Sequence, residues 1–273
     1  MKEISIRDVQ HISMEILRDV HEFCINNDIK YTLFGGTMIG AIRHKGFIPW
    51  DDDIDIAMPR PDYEKFVRQY KSEKGYKLFC YENTSCRLAY GRICEMEKTV
   101  VHPAIPWADE EVGLWIDIFP LDGAPDDKKE AQKFVRKLHK YWRLSSIRRR
   151  ADRKISSWKT VRKRIMSLGD KLIFKNPLTK SIDWTEKYIR LCKTYPYGST
   201  KHIINASFME FGMREYVLEE DFQYTVLADY EGDKFCVCNG YDRMMRMKYG
   251  DYMQLPPEEK RIGRHPDKRY WKV

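Results

Sequence analysis

Asp53 and Asp55 stand two residues apart in the run Trp50-Asp-Asp-Asp-Ile-Asp-Ile-Ala-Met-Pro. On a strand this spacing puts Asp51, Asp53 and Asp55 on one face and Ile54 and Ile56 on the other. Two carboxylates held that close either capture a proton or capture a divalent cation. Hard oxygen ligands downstream of a Gly35-Gly36-Thr37 turn point to Mg²⁺ carrying a phosphate. The turn follows a strand-like run, so its backbone N–H groups are placed to face that phosphate.

A two-carboxylate clamp needs a third oxygen ligand or a base from a neighbouring strand. Asp117, in Trp115-Ile-Asp-Ile-Phe, is the candidate, because a carboxylate among such apolar neighbours is costly to bury without a partner. Asp51 and Asp52 bind a second ion, orient the first, or only shape the loop. Phosphoryl transfer also needs cations, and Arg43, His44, Lys45 and Arg60 flank the acidic run. Of these Lys45 reads as solvated, and His44 reads as a phosphate contact or a structural donor. Arg92 lies on a later strand within reach of the same site. Trp50, Tyr90, Trp107 and Trp115 offer faces for a quaternary ammonium group or a base, with Trp50 the foremost because it directly precedes the acidic run.

Periodicity supplies the elements that position these groups. Ile6, Val9, Ile12, Ile16, Val20 and Phe23 predict a helix over about 6–27, with Ser5 and Asp8 as a capping pair. Strands are expected at 30–34, 54–58, 76–81, 87–94 and 113–119, the last ending at Pro120. Thr37 is expected to cap a short helix ending near Gly46, and Pro59-Arg-Pro to open another running to about Tyr70. Beyond Asp126 the pattern changes to basic helices: Phe134, Leu138, Tyr141 and Trp142 mark one apolar face, and Trp158, Val161, Ile165, Leu168 and Leu172 another. A helix over 178–194, short strands in 216–240 and a helix from Tyr241 complete the reading. The expected fold is α+β, a mixed sheet core flanked by helices with a basic helical insertion. The expected division is a catalytic core at 1–125, the basic helical segment at 126–200, and a return to the core at 201–273 that closes the site.

Composition bounds the rest. The chain has 273 residues, 42% of them hydrophobic and 33% charged, which suits a soluble globular protein. No apolar run approaches the roughly 18 residues of a membrane span. The N-terminus carries charges where a secretory signal needs an apolar stretch. Seven cysteines without a CxxC pair read as reduced thiols, and these features together imply a cytoplasmic protein. The net charge of +8 is uneven: residues 128–175 hold 18 Lys/Arg against 3 Asp/Glu, a local +15, so −7 falls on the remainder. That segment calls for a localised anionic partner.

A glycine turn, a short helix and an Asp-x-Asp strand form the arrangement of the nucleotidyltransferase core. The chain resembles the LicD family of bacterial phosphocholine transferases, related to fukutin-type enzymes. The likeness rests on Gly35-Gly36-Thr37, Arg43-His44, Gly46-Phe-Ile-Pro-Trp-Asp-Asp-Asp-Ile-Asp and Met58-Pro-Arg. It continues at Trp115-Ile-Asp-Ile-Phe-Pro-Leu-Asp-Gly and Tyr249-Gly-Asp-Tyr-Met-Gln-Leu-Pro-Pro. The resemblance implies a nucleotidyltransferase-like fold and metal-dependent transfer of phosphocholine from CDP-choline to a hydroxyl of a lipid-linked cell-surface glycan, a teichoic acid or lipopolysaccharide precursor. It makes Asp53, Asp55 and Asp117 the catalytic and metal-binding trio for Mg²⁺ or Mn²⁺. Gly35, Gly36, Thr37, Arg43, His44, Trp50, Arg60 and Arg92 are the candidate substrate contacts, and Tyr249, Asp251, Arg261 and His265 belong to the block that closes the pocket.

Relatives of the fold use CDP-ribitol or CDP-glycerol, so a polyol donor is the alternative. Cationic amphipathic helices at 128–175 would rest on the anionic inner face of the plasma membrane, each well-placed Lys or Arg adding about 1 kcal/mol, or would simply face water. Two rival functions use the same residues differently. One is a nucleotidyltransferase acting with an NTP on a small molecule or RNA; the basic segment holds no recognisable RNA module, so no nucleic-acid partner is expected. The other is a membrane-surface binding module with a degenerate site, which three intact carboxylates disfavour.

Overall fold

A computed structural model describes residues 1–146, 182–207, 209–263 and 265–272. Ser5 opens the first element as expected: its Oγ accepts from the Asp8 N–H at 3.2 Å and donates to the Asp8 carboxylate at 2.7 Å. Helix α1 (Ile6–Asn26) buries Val9, Ile12, Ile16 and Val20 of the predicted stripe together with Leu17, while Ile6 is exposed and Phe23 is half-buried. Strand β1 (Thr32–Leu33) is shorter than the 30–34 expected and leads directly into α2 (Gly35–Ile39) and a π-helical turn over Gly40–His44.

Thr37 does not cap that helix. Gly35 and Gly36 are themselves its first residues, Phe34 occupies the cap position without a side-chain bond, and the Thr37 hydroxyl accepts from the Asp55 N–H at 2.8 Å. A residue read as a local cap is thus a long-range tie between the glycine segment and the acidic strand.

The sheet is mixed and has seven strands. β2 (Asp55–Pro59) pairs antiparallel with β1 and parallel with β6 (Trp115–Ala124). On the far side of β6 lie β4 (Gly91–Cys94) and, beyond it, β3 (Lys77–Phe79), all antiparallel. Helix α3 (Arg60–Gln69) begins directly after β2, with Pro61 in its first turn, and packs on β2 and β6. Ile54, Ile56, Ile116 and Ile118 are fully buried, each worth roughly 1.5–3 kcal/mol of apolar burial. The acidic strand is therefore anchored by its alternate residues.

Pro120 was expected to end β6, yet the strand runs on to Ala124. The reason is its place in the ladder: β4 pairs only as far as Ile118, and β7 (His202–Asn205) takes over at Leu121. Pro120 falls in the gap between the two neighbours, where its missing N–H breaks no ladder bond on that side. Past it, Gly123 lets the backbone of Tyr195 and Pro196 approach, since a Cβ there would sit 2.6 Å from both carbonyl oxygens.

The extension places Asp122 next to Arg60. The guanidinium donates to both carboxylate oxygens at 2.7 and 2.6 Å, and both side chains are buried. Removing one partner from such a pair typically costs about 3–5 kcal/mol, because a buried charge is left unmatched.

After β6 come α4 (Lys128–Ser145) and α5 (Trp184–Cys192), which pack through Phe134, Val135 and Leu138 against Tyr188, Leu191 and Cys192. The second basic run, Trp158 to Leu172, lies outside the described residues. β8 (Tyr216–Leu218) extends the sheet beyond β7, and β9 (Thr225–Tyr230) forms a hairpin with β10 (Asp233–Cys238). Helix α6 (Tyr241–Tyr249) follows, and the final strand β11 (Lys268–Trp271) pairs with β5 (Thr99–His102). All seven cysteines are buried.

Candidate active site

Strand register builds the centre of the site. Asp55 on β2 is the direct partner of Asp117 on β6, and Asp117 is the direct partner of Arg92 on β4. Adjacent strands lie about 4.8 Å apart, so a row of carboxylate, carboxylate and guanidinium crosses one face of the sheet. Arg92 donates through Nε to Asp117 Oδ1 at 2.6 Å. Its guanidinium also lies 4.4 Å from the Trp115 ring centroid and 4.6 Å from that of Trp107, with Tyr90 at 5.6 Å. Three of the four rings that sequence offered to a quaternary ammonium thus face the protein's own Arg92 cation; Trp50 is not among them. Burial opposes the charge of Arg92, but the Asp117 carboxylate beside it outweighs that and holds the guanidinium firmly protonated.

Asp51, Asp52 and Asp53 precede the regular strand, which begins at Asp55. They form an irregular lead-in, opened by a turn in which the Asp51 N–H donates to the Ile48 carbonyl, rather than the first residues of the ladder. Glycine sets how close the next layer comes. Gly35 has φ +56°, and a Cβ on it would lie 2.8 Å from Asp55 Oδ2. A Cβ on Gly36 would lie 2.7 Å from Asp51 Oδ2. The pair therefore cannot carry side chains without displacing two carboxylates.

The C-terminal segment closes the other side. His265 Nδ1 lies 2.7 Å from Asp52 Oδ1 and its Nε2 lies 3.4 Å from Asp53 Oδ2, while Arg269 reaches Asp52 Oδ2 at 2.7 Å. A cleft of about 240 Å³ lies between this segment and the sheet, lined by Asp52, Asp53, Arg92, Trp107, Asp117 and His265, among others.

The electrostatics follow from crowding. Burial first, then the charges of Asp53, Asp117 and Asp51, push the Asp55 carboxyl well above its ordinary range, while the Lys248 charge opposes them. Burial and the neighbouring Asp53 push Asp51 up to about 8. Asp53 is raised by burial and by Asp117 and Asp52, against the pull of His265. Asp52 goes the other way: burial would raise it, but His265 and Arg269 together hold it below the usual carboxylate range. The Asp52 hydrogen bond in turn raises His265 to about 9, against burial, so the ring is protonated at neutral pH. Asp55 Oδ1 is buried with no hydrogen-bond partner. An orphaned carboxylate oxygen amid repelling neighbours is the feature a hard divalent cation would satisfy.

Among the described residues, Asp52, Asp53 and His265 form the one trio whose ligand atoms all converge within 4.8 Å. The trio expected from sequence, Asp53, Asp55 and Asp117, shares only Asp53 with this group: Asp53 faces His265, and Asp117 is paired with Arg92.

The other candidates fall in different places. Arg43 donates to the carbonyl oxygens of Tyr252 and Gln254, tying the π-helical turn to the C-terminal block. His44 is half-buried beside Arg43, whose Nε donates to its Nδ1 at 3.3 Å. Trp50 lies under Arg261, at 5.9 Å from ring to guanidinium. Arg60 is committed to Asp122, five residues along from Asp55 and so roughly 16 Å away if the chain stays extended. Two charged groups on the cluster were not put forward for it from sequence: Arg269, in an unremarkable basic tail, and Lys248, which is buried against Glu215 beside Phe34.

Comparison with known proteins gives a consistent result. A family model described as the LicD/FKTN/FKRP nucleotidyltransferase domain matches residues 28–147. The lipopolysaccharide cholinephosphotransferase LicD of Haemophilus influenzae is 32% identical over 278 aligned residues, 99% of each chain. An uncharacterized protein of Rickettsia typhi shares 35% identity over 82 residues, 29% of this chain and 26% of its own.

The shifted groups predict how stability depends on pH. Asp51 and His265 bind their protons more tightly folded than unfolded, so their contributions are complete at low pH and fade as pH rises through about 8 and about 9. In EDTA, the melting temperature is expected to fall between pH 6.5 and pH 9, and to fall less in Asp51→Asn. A melting temperature that stays level or climbs over this window contradicts the assignment, as does an equal fall in the variant.

Proposed function

The chain belongs to the LicD family and is a phosphotransferase, and from that premise we propose that it transfers phosphocholine from CDP-choline to a hydroxyl of a lipid-linked cell-surface glycan. The observation that carries the reading is the row Asp55–Asp117–Arg92 set against Gly35-Gly36, with one Asp55 oxygen left unsatisfied. A lipopolysaccharide precursor is the favoured acceptor, since the relative aligned along its whole length is named for lipopolysaccharide. A teichoic acid precursor is the other.

In this reading Asp53, Asp55 and Asp117 would hold Mg²⁺ or Mn²⁺; all three are hard oxygen donors of the kind such ions take. The protonated His265 ring stays outside the ligand set, bonded to Asp52. When bound, the ion neutralises charge on the donor diphosphate. The backbone at Gly35-Gly36-Thr37 orients the phosphates, and Thr37 locks that backbone to β2. Asp117, aimed by Arg92, acts as the third oxygen ligand or as the base that takes the acceptor proton. The acceptor oxygen then bonds to the phosphorus bearing choline, and CMP departs. His265 and Arg269 fix Asp52 and keep the C-terminal segment over the cleft, which excludes water.

CDP-ribitol or CDP-glycerol is the second reading. It is favoured by Arg92, whose guanidinium already lies over Trp107 and Trp115 and competes with a trimethylammonium group for those rings. We place the protein at the cytoplasmic surface of the plasma membrane. No helix among the described residues is long and apolar enough to cross a membrane. Helix α4 exposes Lys128, Lys129, Lys133, Arg136, Lys137, Lys140 and Arg143 along its outer face, a surface suited to anionic lipid.

Two measurements test these proposals. Mg²⁺-dependent CMP release from CDP-choline should drop by about 10²–10³-fold or more in Asp53→Ala and Asp55→Asn. Near-normal turnover by a folded variant would remove the metal assignment, and faster release from CDP-ribitol or CDP-glycerol would transfer the reaction to a polyol donor. Liposome flotation should show binding that grows with anionic lipid; binding indifferent to lipid charge contradicts the membrane placement.

A further inference from the structure

The cations named from sequence for the donor phosphates are mostly engaged elsewhere. Arg43 is bonded to backbone carbonyls of the C-terminal block, Arg60 to Asp122, and Arg92 to Asp117. His265 and Arg269 converge on Asp52. On the glycine side of the cluster a different cation is present. Lys248, at the end of α6, is buried with its Nζ 2.5 Å from Glu215 Oε1. The ammonium lies 4.5 Å from the ring centroid of Phe211, 4.7 Å from that of Phe34 and 5.4 Å from that of Tyr249.

Phe34 connects this cage to the site. It directly precedes Gly35, and its N–H donates to the Asp55 carbonyl at 2.9 Å. The ammonium thus lies 4.7 Å from the ring of the residue that precedes the backbone assigned above to the donor diphosphate, and its charge opposes that of Asp55. Three rings and one carboxylate restrict a flexible lysine to a single place at low entropic freedom. A lysine–glutamate pair removed from water in this way contributes little to stability compared with two apolar side chains of the same volume. Glu215 takes one of the three N–H donors of the ammonium, and a phosphate would take those that remain.

We propose that Lys248, held by Glu215 and the Phe34–Phe211–Tyr249 cage, is a substrate-binding residue that contacts the diphosphate of the nucleotide donor. The inference rests on the nucleoside-diphosphate donor of the preceding section. Glu215 is a positioning residue, since it acts on the donor only through Lys248.

The test is binding, followed by NMR titration with CDP and with cytidine in Mg²⁺ buffer. The variant is Lys248→Met combined with Glu215→Gln, so that no buried charge is left alone. CDP affinity should fall about 10-fold to 100-fold, the worth of a hydrogen bond to a charged group, while cytidine affinity is retained. Lys248→Arg should recover part of the loss. If the double variant does not fold, Lys248→Gln combined with Glu215→Gln, whose neutral amides can bond to each other, reads the same CDP-to-cytidine ratio. An unchanged ratio, or equal loss of both ligands, overturns the proposal. A wild-type protein that binds CDP through Lys248 but transfers no phosphocholine sinks the activity reading and leaves this one standing. Phosphocholine transfer with a ratio unmoved by the variants does the reverse.

Discussion

The pairing of Asp55 with Asp117 across parallel strands forces two carboxylates together on a face where little water can screen them, and Asp51 and Asp53 add to the repulsion. At an effective dielectric near 20, two such charges 4 Å apart repel by about 4 kcal/mol. The surrounding structure answers that cost group by group. Arg92 compensates Asp117, His265 and Arg269 compensate Asp52, and Lys248 opposes the charge on Asp55. What is left over is a protonated or cation-seeking centre, since Asp51 and Asp55 carry raised affinities for a proton and one Asp55 oxygen has no partner.

The fold holds this unfavourable arrangement in place through apolar anchors on the opposite face. Ile54 and Ile56 flank Asp55 at the start of β2, and Ile116 and Ile118 flank Asp117 on β6, all four isoleucines fully buried. The glycines contribute by what they lack: at Gly35 and Gly36 any side chain would strike Asp55 or Asp51. Thr37 then fastens that segment to β2. Chain segments more than 200 residues apart meet at the cleft, because β11 pairs with β5 and carries Arg269 and the preceding His265 over Asp52.

Much of this was legible in the sequence, and the exceptions have physical causes. The stripe of α1, the Ser5–Asp8 cap and the burial of Ile54 and Ile56 follow from local spacing alone. Spacing also singled out Asp53, Asp55 and Asp117, which the strand register draws to one region. Local pattern failed where tertiary neighbours decide. Pro120 reads as a strand end, but it occupies a gap between two partners of β6. Thr37 reads as a cap, but its hydroxyl serves the Asp55 amide. Arg60 sits beside the acidic run in sequence, yet the run leads away from the cluster and delivers it to Asp122. Lys248 carried no signal within Arg-Met-Met-Arg-Met-Lys-Tyr, since its cage is assembled from three separate parts of the chain.

A divalent cation entering the carboxylate cluster should displace the protons that Asp51 and Asp55 hold. Calorimetric titration of metal-free protein with Mn²⁺ near neutral pH, in two buffers of different ionisation enthalpy, counts the protons released. The account predicts release of about one proton or more per ion bound, reduced in Asp55→Asn. Binding without proton release, or no binding at all, would contradict it.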